Sequence, residues 1–139
     1  DCHFVTHLDS MREAAKKYDI EFLETDFVDL AGVRFLGCTL WTDFSLFGPE
    51  RKSEALRLSK ITMNDFGYIQ TTRTPEQHWA LSTRLIPEQT ELRHVGSVDW
   101  LSKQLSSRRE PARTVVVTHH APHARSIPDR FAKDLLSAA

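Results

Sequence analysis

The first part of the chain changes from a helical to a strand-like spacing of apolar residues. Between Thr6 and Tyr18, apolar positions recur at intervals of three and four, which is typical of an amphipathic helix. After it, Ile20 to Glu24 alternates between apolar and polar residues and predicts a strand. Two further strands are expected over Asp26 to Leu30 and Val33 to Leu40, joined by a turn at Ala31-Gly32. The pattern therefore predicts a helix that leads into a β-hairpin.

Two more helices are expected in the middle of the chain, and each begins at a proline. Pro49 suits the first turn of a helix that runs toward Phe66, and Pro87 suits the first turn of a second helix. Apolar residues recur at helical spacing in this second helix, at Leu92, Val95, Val98, Leu101 and Leu105. An aromatic-rich loop is expected over Trp41 to Gly48, and a last helix is expected from Asp129 onward.

A short apolar run, Thr114 to Thr118, ends at a pair of histidines. The run is too short for a helix, and it is too continuously apolar for a strand with one solvent-exposed face. We therefore expect a strand buried on both sides. In open α/β sheets the ligand crevice lies beyond the carboxyl ends of the strands, which is where His119 and His120 follow. Neutral imidazole is a common ligand of zinc, iron and manganese. The pair is also compatible with a polar loop that binds no metal.

Composition and charge exclude several classes of partner and compartment. The chain has 139 residues, and its 18 basic and 19 acidic residues give a formal net charge of −1. At this length we expect a single domain over residues 1–139. The balanced charge lacks the positive excess that is typical of proteins that bind nucleic acids or anionic membranes. No apolar stretch approaches the length of a membrane span. Cys2 and Cys38 form neither a disulfide framework nor a Cys-x-x-Cys site, which fits a reducing compartment, so we expect the cytoplasm.

Three segments, in matching order and spacing, resemble the bacterial calcineurin-like metallophosphoesterases. They are GVRFLGCTLWTDF at 32–44, MNDF at 63–66 and VVVTHHAPH at 115–123. The resemblance implies an α/β fold that is part of a four-layer α/β/β/α sandwich, with this chain as the central portion of the domain. It also implies hydrolysis of a phosphomonoester or phosphodiester substrate with two divalent metal ions, Mn, Fe or Zn, which activate a hydroxide and neutralise charge on the phosphoryl oxygens.

The resemblance also implies roles for residues near the histidine pair. Matching the strand, then threonine, then histidine places the metal-ligand role on His119. His120 is the alternative ligand, because a shift of one residue points the side chain to the other face. Substrate contacts are expected from His120, His123 and Asp43, although capping of a turn explains Asp43 equally well. His94, by its place on a helical or loop segment, is expected to be an ordinary surface or boundary residue.

The chain departs from the family pattern at the other metal motifs. The Asp-x-His, Gly-Asp, Gly-Asn-His-Glu and Gly-His-x-His motifs are not found intact, and no ligand role is assigned to His3. We therefore expect a fragment that is inactive on its own, with the missing motifs on either side. Two other hypotheses stay open. One is a non-catalytic α/β binding module with structural histidines, and the other is a mononuclear zinc hydrolase that uses His119, His120 or His123.

Overall fold

The beginning of the chain folds into the predicted helix and hairpin. The computed structural model describes residues 2–71, 84–107 and 113–138. β1 (Cys2–His3) leads directly into α1 (Phe4–Lys17). β2 (Asp26–Leu30) and β3 (Val33–Cys38) then pair in antiparallel register around a turn at Ala31 and Gly32, both of which have positive φ angles. The predicted turn and both hairpin strands are confirmed, although β3 ends two residues before Leu40.

The strand predicted over Ile20 to Glu24 is wrong, because this segment is irregular. It crosses one face of the sheet instead of pairing with an edge. The backbone at Leu23 passes so close to β3 that a methyl group added to Gly37 would lie 2.3 Å from the Leu23 Cβ atom. Contact between Leu23 and the bare face of Gly37 therefore takes the place of strand pairing.

Both prolines begin helices as predicted, but the first helix is interrupted. α2 (Pro49–Thr62) is followed by Met63, whose extended backbone separates it from the short α3 (Asn64–Tyr68). β4 (Ile69–Gln70) follows and pairs in parallel with β1. α4 (Pro87–Ser106) is the second predicted helix. The unassigned stretch at 72–83, which holds His78 and Trp79, and positions 108–112 lie outside the described residues.

The main sheet is mixed, with the described strands in the order β2-β3-β5. β5 (Arg113–Thr118) runs parallel to β3, with Leu36 opposite Val116. The expectation that this strand is buried on both sides is wrong. Val115, Val116 and Val117 are 42%, 41% and 52% exposed. The reason is position, since among the described strands β5 pairs with β3 alone and forms an edge of the sheet.

The end of the chain consists of short 3₁₀ turns in place of the predicted last helix. They span Ala124–Ser126, Asp129–Phe131 and Leu135–Ala138. The Asp134 carboxylate accepts the N–H of Leu136, and the Ser137 hydroxyl donates to the Phe131 carbonyl. Such local side-chain hydrogen bonds compete with the backbone hydrogen bonds of an α-helix. This competition explains why short 3₁₀ turns replace the predicted helix.

A cluster of buried residues joins the loop after β3, α2, α3 and the last 3₁₀ turn. Its members are Trp41, Phe44, Ala55, Phe66, Leu85, Leu135 and Ala138. This arrangement makes the fold a mixed α/β structure. None of the helices in the described ranges has both the length and the apolar character needed to cross a lipid bilayer.

Candidate functional site

The carboxyl ends of β3 and β5 meet at one edge of the sheet, and the loops that follow them are tied together. The backbone N–H of His120 donates to the Thr39 carbonyl at 3.1 Å. On the other side, the Glu24 carboxylate accepts from the N–H and the hydroxyl of Thr39 at 2.8 Å and 2.7 Å. The parallel strand pair therefore delivers the histidine loop to a fixed place beside residues 39–43.

His119 is exposed at this edge, and its ring has no hydrogen-bond partner among the described residues. The ring lies 5.1 Å from the ring of His120, edge to face. It borders a cleft of about 710 Å³ between α1 and the sheet, whose walls are mostly apolar. His119 therefore offers ring nitrogens that are open to an incoming ligand.

His120 is half-buried and is held from two sides. Its Nδ1 lies 3.1 Å from the Thr39 carbonyl, and its ring lies 5.0 Å from the ring of Trp41. Because a carbonyl oxygen only accepts, Nδ1 carries the hydrogen and Nε2 carries the lone pair. Burial lowers the pKa of His120, a shift that the carbonyl bond and the charge of Asp65 partly oppose. The imidazole is therefore neutral at pH 7.

His94 belongs to the same site, although its sequence predicts only a boundary residue. It is half-buried on α4, and its Nδ1 donates to the Leu40 carbonyl at 3.1 Å and to the Trp41 carbonyl at 3.3 Å. The buried side of α4 is small and polar, with Pro87, Thr90 and Ser97 buried, while most of the predicted apolar positions are exposed. The spacing of these small residues, three and seven apart, is the signal that marks the face of His94.

The three residues predicted to contact substrate line one cavity of about 260 Å³. Asp43, His120 and His123 border it together with His94 and Trp41. His119 borders the other cleft instead. The structure thus brings the predicted substrate residues together and turns the predicted metal ligand to a different side, as expected for neighbouring residues that follow a strand.

Two of these residues also have local structural roles. Asp43 Oδ1 accepts the N–H of Ser45 at 2.9 Å, so the turn-capping interpretation of Asp43 holds. His123 Nδ1 accepts the N–H of Arg125 at 3.1 Å, which leaves the hydrogen of the neutral ring on Nε2. His123 borders the cavity, and a ring whose Nδ1 accepts a hydrogen bond offers a donor at Nε2, which suits a phosphoryl oxygen better than a metal ion.

The helix after the MNDF segment contributes one charge to the site. Asn64 and Asp65 begin α3, because the extended backbone of Met63 interrupts the helix that was predicted to run toward Phe66. Asn64 is exposed, whereas Asp65 is half-buried and acts electrostatically on His120. Asp65 therefore places a carboxylate close enough to the histidine loop to act on His120.

The described side chains at this edge supply too few donors for a metal centre. Within residues 2–71, 84–107 and 113–138, no group of three or more His, Cys, Asp or Glu side chains is arranged to hold a metal ion. These residues do not fit a two-metal centre by themselves. His3, half-buried in β1, does not change this result.

No protein-family model, curated protein or solved structure matches the chain. The resemblance to metallophosphoesterases therefore stays a prediction that depends on the three sequence segments and on the site described above.

Proposed function

We propose that this chain is the central portion of a metal-dependent phosphoester hydrolase with a four-layer α/β/β/α sandwich, and that His119 is a metal ligand. The mixed sheet and the loops at the carboxyl ends of β3 and β5 support this proposal, since ligand sites of α/β folds lie at that edge. The described residues supply fewer donors than two ions need, so the proposal takes the remaining ligands from other parts of the complete gene product.

One observation carries the choice of His119. Around the site, His94, His120 and His123 each engage a backbone group through Nδ1. His119 has no such bond among the described residues, and its ring is exposed. A metal ligand needs a free nitrogen lone pair, and none of the described groups occupies that of the exposed His119 ring, which lies edge to face against the anchored ring of His120.

The cavity beside the anchored imidazoles is the proposed place for the phosphoester group. His123 presents an N–H there, and neutral His120 presents a lone pair. Divalent ions of Mn, Fe or Zn, when bound, would supply a hydroxide and charge neutralisation. The N–H of His123 would then orient a phosphoryl oxygen, whereas His120, as an acceptor, would bind a hydroxyl or water beside the phosphoester and fix the loop that carries His119.

The test is hydrolysis of bis(4-nitrophenyl) phosphate by the complete gene product with Mn²⁺, Fe²⁺ or Zn²⁺. His119→Ala should lower turnover by more than about a hundredfold and remove bound metal while the melting temperature is kept, because loss of even an outer-shell partner of a ligand costs about 10–100-fold. His7→Ala, an exposed histidine on α1, is the matched control. No turnover with any divalent ion would contradict the proposal, and loss with His120→Ala alone would move the ligand by one residue.

A second candidate is a non-catalytic α/β binding module. The observation that favours it is that three of the four imidazoles at the site hold backbone groups, which is a structural role. A complete gene product that binds no manganese, iron or zinc would support this candidate. A stoichiometry of one zinc per chain would support the mononuclear hydrolase, and the tautomer of His123 already counts against that residue as its ligand.

The proposal includes a cytoplasmic location. Cys38 is a free, buried thiol, and burial raises its pKa. Such a thiol stays protonated at neutral pH and is poorly reactive. A buried reduced cysteine in the central strand is compatible with the reducing compartment that the sequence predicts.

A further inference from the structure

The loop after β3 has an unusual backbone. Leu40 and Trp41 have φ angles of 71° and 52°, and Phe44 has a φ angle of 58°. Residues with a Cβ atom rarely adopt this left-handed region, and bulky ones do so least. Such conformations persist only where the surroundings hold them, and they cluster at functional sites. Two successive bulky residues in this conformation therefore call for a specific restraint.

Two imidazoles from different elements provide that restraint. His94, on α4, donates to the carbonyls of Leu40 and Trp41. His120, after β5, binds the Thr39 carbonyl through both Nδ1 and its backbone N–H. The carbonyl oxygens of three successive residues are thus each held by a histidine. We use the name imidazole clamp for His94 and His120 together.

The clamp connects the strained loop to the histidine loop. The Trp41 side chain is buried and lies against the His120 ring at 5.0 Å with an interplanar angle of 31°. Trp41 and Asp43 form one wall of the cavity, and His120 and His123 form another. His94 borders the same cavity and binds the loop through the Leu40 and Trp41 carbonyls. A shift of the Leu40–Trp41 backbone would therefore move the cavity wall. It would also move the Trp41 ring, which packs against His120 in the His119–His120 loop.

We propose that His94 is a positioning residue that holds the Leu40–Trp41 backbone in its left-handed conformation and thereby fixes the cavity wall and the His119–His120 loop. The catalytic consequence rests on the proposed function, whereas the effect on the loop does not. His94 acts through the loop and has no proposed contact with a metal ion or with substrate.

The test compares His94→Asn with His94→Asp and His94→Leu. Asn places an N–H donor near the position of Nδ1, Asp has the same size without a donor, and Leu removes the polar group. Hydrogen exchange over residues 39–48 should accelerate on the order of tenfold in the Asp and Leu variants, as expected for loss of a partly buried hydrogen bond, and should be restored toward wild type in Asn. Exchange over α2 reports whether the fold is kept.

The second readout is turnover of bis(4-nitrophenyl) phosphate by the complete gene product. The Asp and Leu variants should lose about tenfold to a hundredfold in kcat with a smaller change in KM, because a displaced site loses orientation more than binding. Faster loop exchange with unchanged turnover would overturn the positioning role, and unchanged loop exchange would overturn the clamp. An inactive wild-type protein would overturn the proposed function instead, while the exchange comparison between Asn and Asp would still decide the clamp.

Discussion

β3 and β5 are neighbouring parallel strands with similar apolar content, yet they differ completely in burial. Leu36 on β3 is 0% exposed, whereas its cross-strand partner Val116 on β5 is 41% exposed. β3 is paired on both sides, by β2 and β5, and β5 forms an edge of the described sheet. The difference teaches that an apolar run predicts a strand but does not predict how many sides of that strand are covered, because burial depends on elements distant in sequence.

The largest expected effect comes from truncating the buried member of that pair. Leu36→Ala should lower the free energy of unfolding by about 2–5 kcal/mol, since it removes apolar contacts and leaves a cavity. Val116→Ala is the matched control and should cost less than about 1 kcal/mol, because a large part of this side chain is already hydrated. Urea denaturation measures both values. Equal losses would show that the two strands are buried alike.

The second prediction concerns the close approach of Leu23 to β3. Gly37→Ala should destabilise the protein by about 1–3 kcal/mol, because its Cβ atom would meet that of Leu23 at 2.3 Å. Gly96→Ala on α4 is the control. A Cβ atom there meets nothing within 4 Å, so this change should stabilise by about 0.5–1 kcal/mol through helix propensity. Thermal unfolding of both variants checks the contrast, and a stabilising Gly37→Ala would contradict the described packing.

The third prediction concerns His120, which follows the exposed strand β5 but is itself half-buried. Burial lowers the pKa of His120 below its ordinary value of 6.5. Between the two values the unfolded chain binds a proton that the folded protein does not, so acid favours unfolding. The free energy of unfolding without metal should fall more steeply in wild type than in His120→Gln as the pH is lowered through 6.5. Parallel curves would place His120 in solvent.

The smallest effect on stability is expected at the exposed edge itself. Val115→Lys should change the free energy of unfolding by less than about 1 kcal/mol. It should nevertheless reduce self-association, because a charge on an open apolar edge opposes strand addition by another chain. Sedimentation velocity at increasing concentration measures this effect. Association that is stronger in the variant than in wild type would show that β5 is not the surface through which copies meet.

The parts of the fold that depend on local chemistry are the parts that the sequence predicts. The turn at Ala31-Gly32 and the helix starts at Pro49 and Pro87 follow from the conformational preferences of the residues themselves. The irregular backbone at Leu23 does not follow from such local preferences, because it depends on the space that Gly37 leaves on one face of β3. The alternation of residues 20–24 is typical of a strand, and only the tertiary contact overrides it.

The candidate site shows the same division. The apolar composition of residues 114–118 predicts the strand that precedes His119 and His120. The structure places both histidines at the expected sheet edge. His94 is missed because its importance comes from two carbonyls more than fifty positions away, at Leu40 and Trp41. Its tautomer and that of His123 depend on the same kind of contact, which no spacing pattern encodes.

The central claim is that His119, which is exposed and has no hydrogen-bond partner among the described residues, binds a metal ion before the other described imidazoles at this edge do. Its most direct test is a titration with Mn²⁺ followed through the Cε1–H resonances of the histidines, assigned by single substitutions. The paramagnetic ion should broaden the His119 resonance first and that of His120, whose ring is 5.1 Å away, next, while exposed His7 stays sharp. Broadening of His119 no greater than that of His7 would contradict the claim.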